Sequence, residues 1–340
     1  MHPSTSQTHL PPLPGEAEPD DLEVEVEERR LEIPTDLHKQ RLDRALVQLM
    51  PEFSRNHLKH LIEDACVSSN ALPAAISKVA YLVKAAEVIT VRLQPTAMSQ
   101  AYVPQAMDLD VVFEDAHLRI IHKPAGLVVH PAPGNWSGTL LNGLLALDPT
   151  AAQVPRAGIV HRLDKDTSGL MVVARTRACM DALVQMIAAR KVHREYLAVS
   201  QRPWRGEVMR EVEFPIGRDP RQRLRMAVVD LEKQSGKPAH TSLHCLDSND
   251  QGCLVHCTLH TGRTHQIRVH MAAIGLPLLA DGLYGGSSSP WISRQSLHAF
   301  RLGFKHPFSD HDLQFESPLP ADIQAAVSGM GLNNPLGENV

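Results

Sequence analysis

The sequence is poor in aromatic residues and in long apolar runs, and each shortage excludes a class of protein. Aromatic residues form 4% of the 340 residues and hydrophobic residues 43%, enough for a substantial core and better suited to two domains than to one. No run of about 18 apolar residues occurs. The N-terminus lacks a basic region followed by an apolar stretch, so no membrane span or secretory signal is predicted and the cytoplasm is expected.

Cysteine is scarce, and cofactor motifs are missing. Five cysteines, an odd number, do not suggest a disulfide framework. Cys253 and Cys257 lie in an alternating apolar segment, where a strand would place them on one face roughly 13 Å apart, too far to form a disulfide or to share a zinc ion. The sequence also lacks a P-loop, a dinucleotide fingerprint and metal-ligand spacing. We therefore expect no nucleotide, metal or redox cofactor.

Net positive charge is absent from the chain as a whole, but its acidic residues are concentrated at one end. Residues 1–30 contain eight acidic side chains and two arginines, a net charge of −6, so the total of −4 leaves +2 on the remaining 310 residues. Such an acidic, proline-rich segment has no apolar periodicity and is predicted to be disordered. The slightly negative total therefore does not exclude RNA as a partner.

A polar turn between two apolar segments contains the first candidate site residue. Residues 158–163 and 170–174 are mainly apolar, and turn-forming residues separate them, so Asp164 is predicted at the end of a strand. A carboxylate at the rim of a sheet can face a cleft while the backbone beneath it stays rigid, as a catalytic acid, base or nucleophile requires. The alternative is an aspartate that caps its own turn.

Residues 161–169, HRLDKDTSG, resemble the signature of the RluA family of RNA pseudouridine synthases. The catalytic aspartate of that family follows Arg-Leu, which implies that Asp164 is catalytic. Residues 122–131, 194–199 and 261–270 resemble further family segments in the expected order. The resemblance covers about residues 110 to 300 and is closest to the RluD-type members that act on large-subunit ribosomal RNA.

The resemblance also implies roles for other residues. Arg268, one turn inside a helix predicted from about residue 264 to 273, would pair with Asp164, and Tyr196 would stack on a flipped uracil or act as an acid or base. A helix-surface cation and a core tyrosine are the respective alternatives. Arg162 would fill the space that the flipped base vacates. Further residues expected to contact substrate or RNA are His161, Lys123, Arg263, His265 and Gln266, for which structural hydrogen bonding, packing or a place in the pocket wall are the alternatives.

The densest basic run of the chain follows Gly217. It contains Arg218, Arg221 and Arg223 in a segment that looks like a loop, and we interpret it as a phosphate-contacting arm. A solvated loop is the alternative. No aromatic ladder accompanies the arm, so recognition is expected to depend on RNA shape and backbone.

Pseudouridine formation breaks the bond between uracil N1 and ribose C1′, turns the base and joins C5 to C1′. A carboxylate could attack C1′, add to the uracil ring or assist removal of a proton from the sugar, and the sequence does not choose among these roles for Asp164. Two other functions stay open. One is an RNA N-glycosylase that releases uracil, and the other is a non-catalytic RNA-binding ribosome-assembly factor.

Helices and strands mix without a regular βαβ repeat, which favours an α+β catalytic domain with a largely antiparallel sheet and flanking helices. A small α/β module before it, with two amphipathic helices followed by β-structure, resembles the S4 RNA-binding domain. Arg55 and Lys59 on the second helix would contact phosphates, and an ordinary solvated helix face is the alternative. The expected partner is 23S ribosomal RNA or its precursor, and the expected state is a monomer. The predicted organisation is a disordered acidic tail (1–35), the S4-like domain (36–94), a linker (95–108), the catalytic domain (109–328) and a C-terminal tail (329–340).

Overall fold

The computed structural model describes residues 27–51, 53, 55–93, 99–132, 135–222 and 225–337. The chain divides into two compact units, residues 1–96 and residues 97–340. Residues 1–26 of the predicted disordered tail lie outside the described residues. Its boundary at residue 35 needs correction, because Glu27–Glu32 form a strand and Ile33 is buried.

The smaller unit combines two helices with a three-stranded antiparallel sheet of order β1-β3-β2. The apolar stripes predicted for the two helices are buried and pack, together with Val67, Ile89 and Val91, into one core. The elements are β1 (Glu27–Glu32), a 3-10 helix (Thr35–Leu37), α1 (Leu42–Leu49), α2 (Arg55–Glu63), β2 (Val67–Ser69) and β3 (Val88–Leu93).

A nine-stranded sheet dominates the larger unit. Its strands are β4 (Asp110–Glu114), β5 (Leu118–Lys123), β6 (Ser168–Ala174), β7 (Val192–Ser200), β8 (Met209–Val212), β12 (Thr241–Asn249), β13 (Gly252–Leu259), β14 (Leu297–Lys305) and β15 (Asp312–Glu316). The order is β4-β5-β6-β14-β7-β13-β12-β8, and β15 pairs with β14. All pairs are antiparallel except β6 with β14, so the prediction of a large, mainly antiparallel sheet is confirmed.

Helices cover both faces of this sheet because its central strands are apolar on both faces. Ile121 and Met171 point to the face that is covered by the helices at residues 140–147 and 266–273, whereas Ile120 and Val172 point to the face covered by the helix at residues 177–188. The helices are α3 (Leu140–Leu147), α4 (Arg177–Ala188), α5 (Gln266–Ala273) and α6 (Ala321–Gly329), with 3-10 helices at Ser99–Tyr102, Pro149–Gln153 and Pro155–Gly158. Across the parts of the chain that the structure covers, no helix is both long and apolar enough to cross a bilayer.

Two further predicted boundaries differ from the structure. The linker was predicted to reach residue 108, yet Asn142 of α3 donates hydrogen bonds to the carbonyls of Ala101 and Val103, so this part belongs to the larger unit. The predicted C-terminal tail contains Met330 and Leu332, which are buried against the core beside α6. Backbone carbonyls in the first case and widely spaced apolar side chains in the second make these contacts, and neither suggests an element from sequence.

The basic segment after Phe214 is a small sheet rather than a loop. It consists of β9 (Ile216–Arg218), β10 (Met226–Val228) and β11 (Gly236–Lys237), paired antiparallel in the order β10-β9-β11. Strands of two or three residues are too short to produce a recognisable alternation, which is why the sequence suggests a loop.

Candidate active site

Asp164 lies in the turn that precedes β6, at one end of the large sheet. The strand after the turn is fixed by close packing: Gly169 has φ 119°, and a Cβ atom there would lie 2.2 Å from the carbonyl oxygen of Ala299 in β14. Only glycine tolerates both this backbone conformation and this approach. The side chain of Asp164 is 14% exposed and lines a cleft, so a rigid strand presents a partly buried carboxylate to an open space.

Lys123 binds the same turn through its buried ammonium and does not face RNA. It is fully buried, and its ammonium donates hydrogen bonds to the carbonyls of Pro124, Leu127 and Lys165 at 2.7, 2.9 and 3.0 Å. Burial lowers its pKa from 10.5 to about 7 against the opposing charges of Asp166 and Asp164. The expectation that Lys123 contacts phosphate is therefore wrong, because every donor of its ammonium is used to tie residues 123–127 to the turn.

Arg268, the third residue of α5, lies between two aspartates. Its Nε and Nη2 donate to Asp281 at 2.7 and 2.8 Å, while Nη1 donates to Asp164 at 3.1 Å. Burial opposes the charge of Arg268, but the hydrogen bonds and charge of Asp281, with that of Asp164, outweigh it and raise its pKa above the ordinary value. The site therefore contains a permanent cation beside Asp164.

His265 and Tyr284 form the other side of this arrangement. The Nδ1 of His265 lies 2.8 Å from the hydroxyl of Tyr284, and its Nε2 lies 3.9 Å from Asp164. Burial lowers the pKa of His265 below its ordinary value despite the charge of Asp164, so the ring is neutral at neutral pH. The guanidinium of Arg268 also lies 5.0 Å from the ring centre of Tyr284. Tyr284 thus contacts both groups that face Asp164.

The cleft in front of Asp164 has a volume of about 540 Å³ and is strongly basic. Tyr196, on β7, is buried in its wall, and burial raises the pKa of its hydroxyl to about 12. It therefore keeps its proton at neutral pH. The charged side chains in the lining are five arginines and one carboxylate: Arg156, Arg162, Arg190, Arg194, Arg263 and Asp164. This distribution suits a polyanionic ligand.

The predicted wall residues do different things. Arg162 is exposed and lines the cleft beside Asp164, and Arg263 lines it while its Nε donates to the carbonyl of Pro238. Gln266 is 3% exposed; its amide oxygen accepts from Thr261 and Arg263, and its amide nitrogen donates to His240 and Thr241. Gln266 therefore has the place in the pocket wall that was the alternative to binding substrate, because its amide is used in folding this wall.

His161 lines the cleft, and a hydrogen bond from the backbone fixes its ring. Its Nε2 accepts a hydrogen bond from the backbone N–H of Val172, while its buried Nδ1 has no partner among the residues that the structure describes. Burial, with the charge of Arg194, lowers its pKa to about 3, so the ring stays neutral. The neutral ring with an acceptor at Nε2 carries its proton on Nδ1.

Two further residues of the larger unit that were predicted to contact RNA, Arg218 and Arg221, are not part of the cleft lining. Arg218 ends β9, Arg221 follows it and is exposed, and Arg223 lies outside the described residues. In the smaller unit, Arg55 is 56% exposed and pairs with the buried Asp43 at 2.6 Å, and Lys59 lies 3.5 Å from Glu63 on the same helix. Arg55 therefore has a structural partner, which joins α1 to α2.

One group of side chains has the composition of a metal site. Glu211, His240 and His260 bring their ligand atoms within 4.8 Å of one another. Their polar atoms are already linked, since Glu211 lies 2.6 Å from His240, and the hydroxyl of Ser242 lies 2.7 Å from both Glu211 and His260. The group can therefore satisfy its own hydrogen bonds without an ion.

Three residues of the site escaped the sequence interpretation. Asp281 and Tyr284 stand in an Asp-Gly turn, a signal of local structure that says nothing about Arg268 or His265. Arg194 stands two residues before Tyr196, and strand alternation could have placed both on one face of β7.

Comparisons with known proteins agree with this geometry. A family model described as RNA pseudouridylate synthase matches residues 117–273, which include Asp164, Tyr196 and Arg268. The chain is similar to "Ribosomal large subunit pseudouridine synthase D" of Neisseria meningitidis serogroup B, with 45% identity over 323 residues, covering 91% of this chain and 84% of that protein. The same-named protein of Nitrosomonas europaea is 46% identical over 310 residues, covering 88% of this chain and 87% of that protein.

A solved structure extends the likeness to the fold. "Human RNA Pseudouridylate Synthase Domain Containing 1" is 25% identical to this chain and superimposes with a TM-score of 0.50, covering 66% of this chain and 96% of that one. The similarity in sequence spans most of both bacterial proteins, and the matched segment contains the carboxylate, the tyrosine and the arginine that meet at the cleft. The chain therefore belongs to the RNA pseudouridylate synthase family and is an RNA pseudouridine synthase.

Proposed function

We propose that the protein converts specific uridines to pseudouridine in large-subunit (23S) ribosomal RNA or its precursor, with Asp164 as the catalytic carboxylate. The observation that carries the proposal is the position of Asp164, at the mouth of a basic cleft and 3.1 Å from an arginine that Asp281 holds in place. The names of the bacterial relatives, which specify the large ribosomal subunit, support this class of RNA.

The chemistry suits these residues. Breaking the bond between N1 and C1′ develops positive charge at C1′, which the carboxylate of Asp164 stabilises or captures covalently. The base then turns, C5 bonds to C1′, the proton on C5 leaves, and N1 gains a proton, so the atoms balance. Arg268 neutralises and orients Asp164 before the reaction, and Tyr196, which carries its proton at neutral pH, faces the uracil as a donor or stacking surface.

The rest of the chain serves to bind the RNA. Arg162 fills the space that the flipped uridine leaves, and Arg263 and His265, which line the space beside Asp164, contact the nucleotide. The short sheet β9-β10-β11 acts as a phosphate-contacting arm through Arg218, Arg221 and Arg223. The smaller unit acts as an S4-like RNA-binding domain through Arg55 and Lys59, and the protein works as a cytoplasmic monomer without a cofactor.

A product assay on unmodified 23S transcript and on large-subunit precursor particles tests the function. Wild type is compared with Asp164→Asn and with Asp181→Asn, a matched control on the exposed surface of α4. Pseudouridine is detected by chemical labelling and nucleoside chromatography because it does not change the mass. We expect product from wild type and the control, and none from Asp164→Asn.

Other outcomes would replace the proposal. Free uracil would identify a glycosylase. Tight, salt-sensitive RNA binding without product on either substrate would identify an assembly factor. Product from Asp164→Asn at the wild-type rate would remove Asp164 from the catalytic role.

A further inference from the structure

Arg194 is a buried cation that pairs with no carboxylate of the described residues. It is 6% exposed, and within the described part of the chain its buried Nε has no hydrogen-bond partner and its guanidinium forms no ion pair. The other buried arginines differ: Arg268 has Asp281, and Arg119 has Glu114 at 2.5 Å. Because an uncompensated buried charge is strongly destabilising, the environment of Arg194 is incomplete in the free protein.

The unpartnered group faces the cleft. Arg194 and Tyr196 are two residues apart on β7, which places both on one face of the strand, and both line the cleft that contains Asp164. Gly262 forms the neighbouring wall; a Cβ atom there would lie 3.0 Å from Nη1 of Arg194, so a side chain at this position would crowd the guanidinium.

A second donor without a partner belongs to a lining residue of the same cleft, His161. His161 carries its proton on Nδ1, which is buried and lacks a partner among the described residues. Arg194 is close enough that its charge contributes to lowering the pKa of His161. Two donors, one of them a permanent cation, therefore face a cleft whose other charged groups are four arginines and Asp164. The ligand that satisfies both is an anion with several acceptor atoms.

We propose that Arg194 and His161 bind a backbone phosphate next to the target uridine. The inference rests on the proposed function and deepens it by identifying how the flipped nucleotide is anchored. A phosphodiester has two charged oxygens, which match the fork of the guanidinium and leave an acceptor for the imidazole N–H. The distance along the strand sets Arg194 about 7 Å from Tyr196, comparable to the distance between a base and the phosphate of its own nucleotide.

The test is a double-mutant cycle. One change is a substitution in the protein, and the other replaces a charged phosphate of the RNA by an uncharged methylphosphonate. The substrate is a ribosomal RNA fragment in which wild type forms pseudouridine. A single methylphosphonate replaces either the phosphate on the 5′ side of the target uridine or the phosphate on its 3′ side. In each case the nucleotide before the methylphosphonate carries a 2′-O-methyl group, which prevents strand cleavage. RNA with the 2′-O-methyl group alone is the reference. Single-turnover rates at subsaturating protein are measured for wild type, Arg194→Gln and the surface control Arg177→Gln.

We expect Arg194→Gln to lower the rate roughly tenfold to a hundredfold, as for loss of a charged hydrogen bond. One methylphosphonate should lower the wild-type rate by a similar factor and have little further effect on Arg194→Gln. The proposal would be overturned if, at each of the two phosphates, the rate loss from the methylphosphonate multiplied fully with the rate loss from Arg194→Gln. Arg194 would then act on another group. Arg194→Lys, which keeps the charge, enters the same cycle if Arg194→Gln fails to fold.

Failure of this proposal is distinguishable from failure of the function. If wild type forms no pseudouridine in any ribosomal RNA or particle, the proposed function fails. If wild type forms pseudouridine and the cycle is additive, the function stands and the phosphate site is rejected. His161→Phe supplies an independent check, because it should lower the rate on the normal RNA and show the same loss of effect with the same methylphosphonate.

Discussion

Asp281 binds Arg268 through two hydrogen bonds of 2.7 and 2.8 Å, and this leaves the remaining nitrogen, Nη1, directed at Asp164. Asp281 is buried, with 1% of its side chain exposed, and stands 13 residues after Arg268. Asp281 thus fixes the orientation in which Arg268 contacts Asp164, which is 104 residues away from Arg268 in sequence. Removing Asp281 should therefore disturb catalysis without removing any group that touches the substrate.

Asp281→Asn tests this relationship. The change leaves the buried Arg268 with one charge fewer to balance it, so we expect the free energy of unfolding to fall by about 3 kcal/mol and the rate to fall roughly tenfold or more. Urea melts and single-turnover pseudouridine formation measure the two effects. Asp181→Asn breaks an exposed pair with Arg177 and should change stability by less than about 1 kcal/mol. Equal effects of the two changes would contradict the assigned role.

Lys123→Met tests the buried ammonium beneath the catalytic turn. In the folded protein burial lowers the pKa of Lys123 to about 7, whereas the ordinary value is 10.5. Below pH 7 both states hold the proton. Between pH 7 and 10.5 the unfolded state holds more protons, so the stability of wild type should rise relative to Lys123→Met by about 1 kcal/mol per pH unit.

Urea melts of both proteins at pH 7, 8 and 9 measure this difference, and a gap that does not change with pH would contradict it. The variant should also lose activity roughly tenfold at pH 7, because the turn that carries Asp164 loses its link to three carbonyls.

Tyr196→Phe separates the ring from the hydroxyl. The ring is retained, so RNA affinity should stay within about twofold, while the single-turnover rate should fall roughly tenfold to a hundredfold if the hydroxyl donates a proton or hydrogen bond. Because burial raises the pKa of Tyr196 to about 12, the ratio of the two rates should be constant from pH 7 to 10. A ratio that collapses in this range would mean that Tyr196 ionises there.

Arg221→Gln tests the arm. Arg221 is exposed beyond β9, and its loss should weaken RNA binding and reduce the slope of log affinity against log salt by about one unit. Binding titrations at several salt concentrations measure the slope. Arg177→Gln, on the exposed surface of α4, is the control, and an equal change in slope for both variants would mean that the arm has no special contact with RNA.

The sequence suggests the groups that we propose to carry chemistry more readily than the groups that position them. Asp164, Tyr196 and Arg268 stand in continuous motifs, and amphipathic stripes predicted α1 and α2. Asp281, Tyr284 and Arg194 stand in no such pattern, because their importance comes from a partner that only the folded chain brings near. For Lys123 the sequence left phosphate contact and structural packing open, because nothing local reveals that three carbonyls surround its ammonium.

The short strands of the arm show a second limit. Ile216–Arg218 and Met226–Val228 pair with each other, but each offers only three residues, too few for alternation to be distinguished from chance. Tertiary contact also decided the boundaries at residues 27–33 and 101–108, where a few apolar or backbone groups dock onto an existing core.

The ammonium of Lys123 connects residues 123–127 to Lys165, which is 42 residues further along the chain. A connection of this span is often made by a disulfide, which needs an oxidant to form and is opened by thiols. The hydrogen bonds between an amine and the carbonyl oxygens around it form as soon as the chain folds, and they do not depend on the redox state of the surroundings. The turn that carries Asp164 is thus cross-linked in a way that is independent of thiol chemistry.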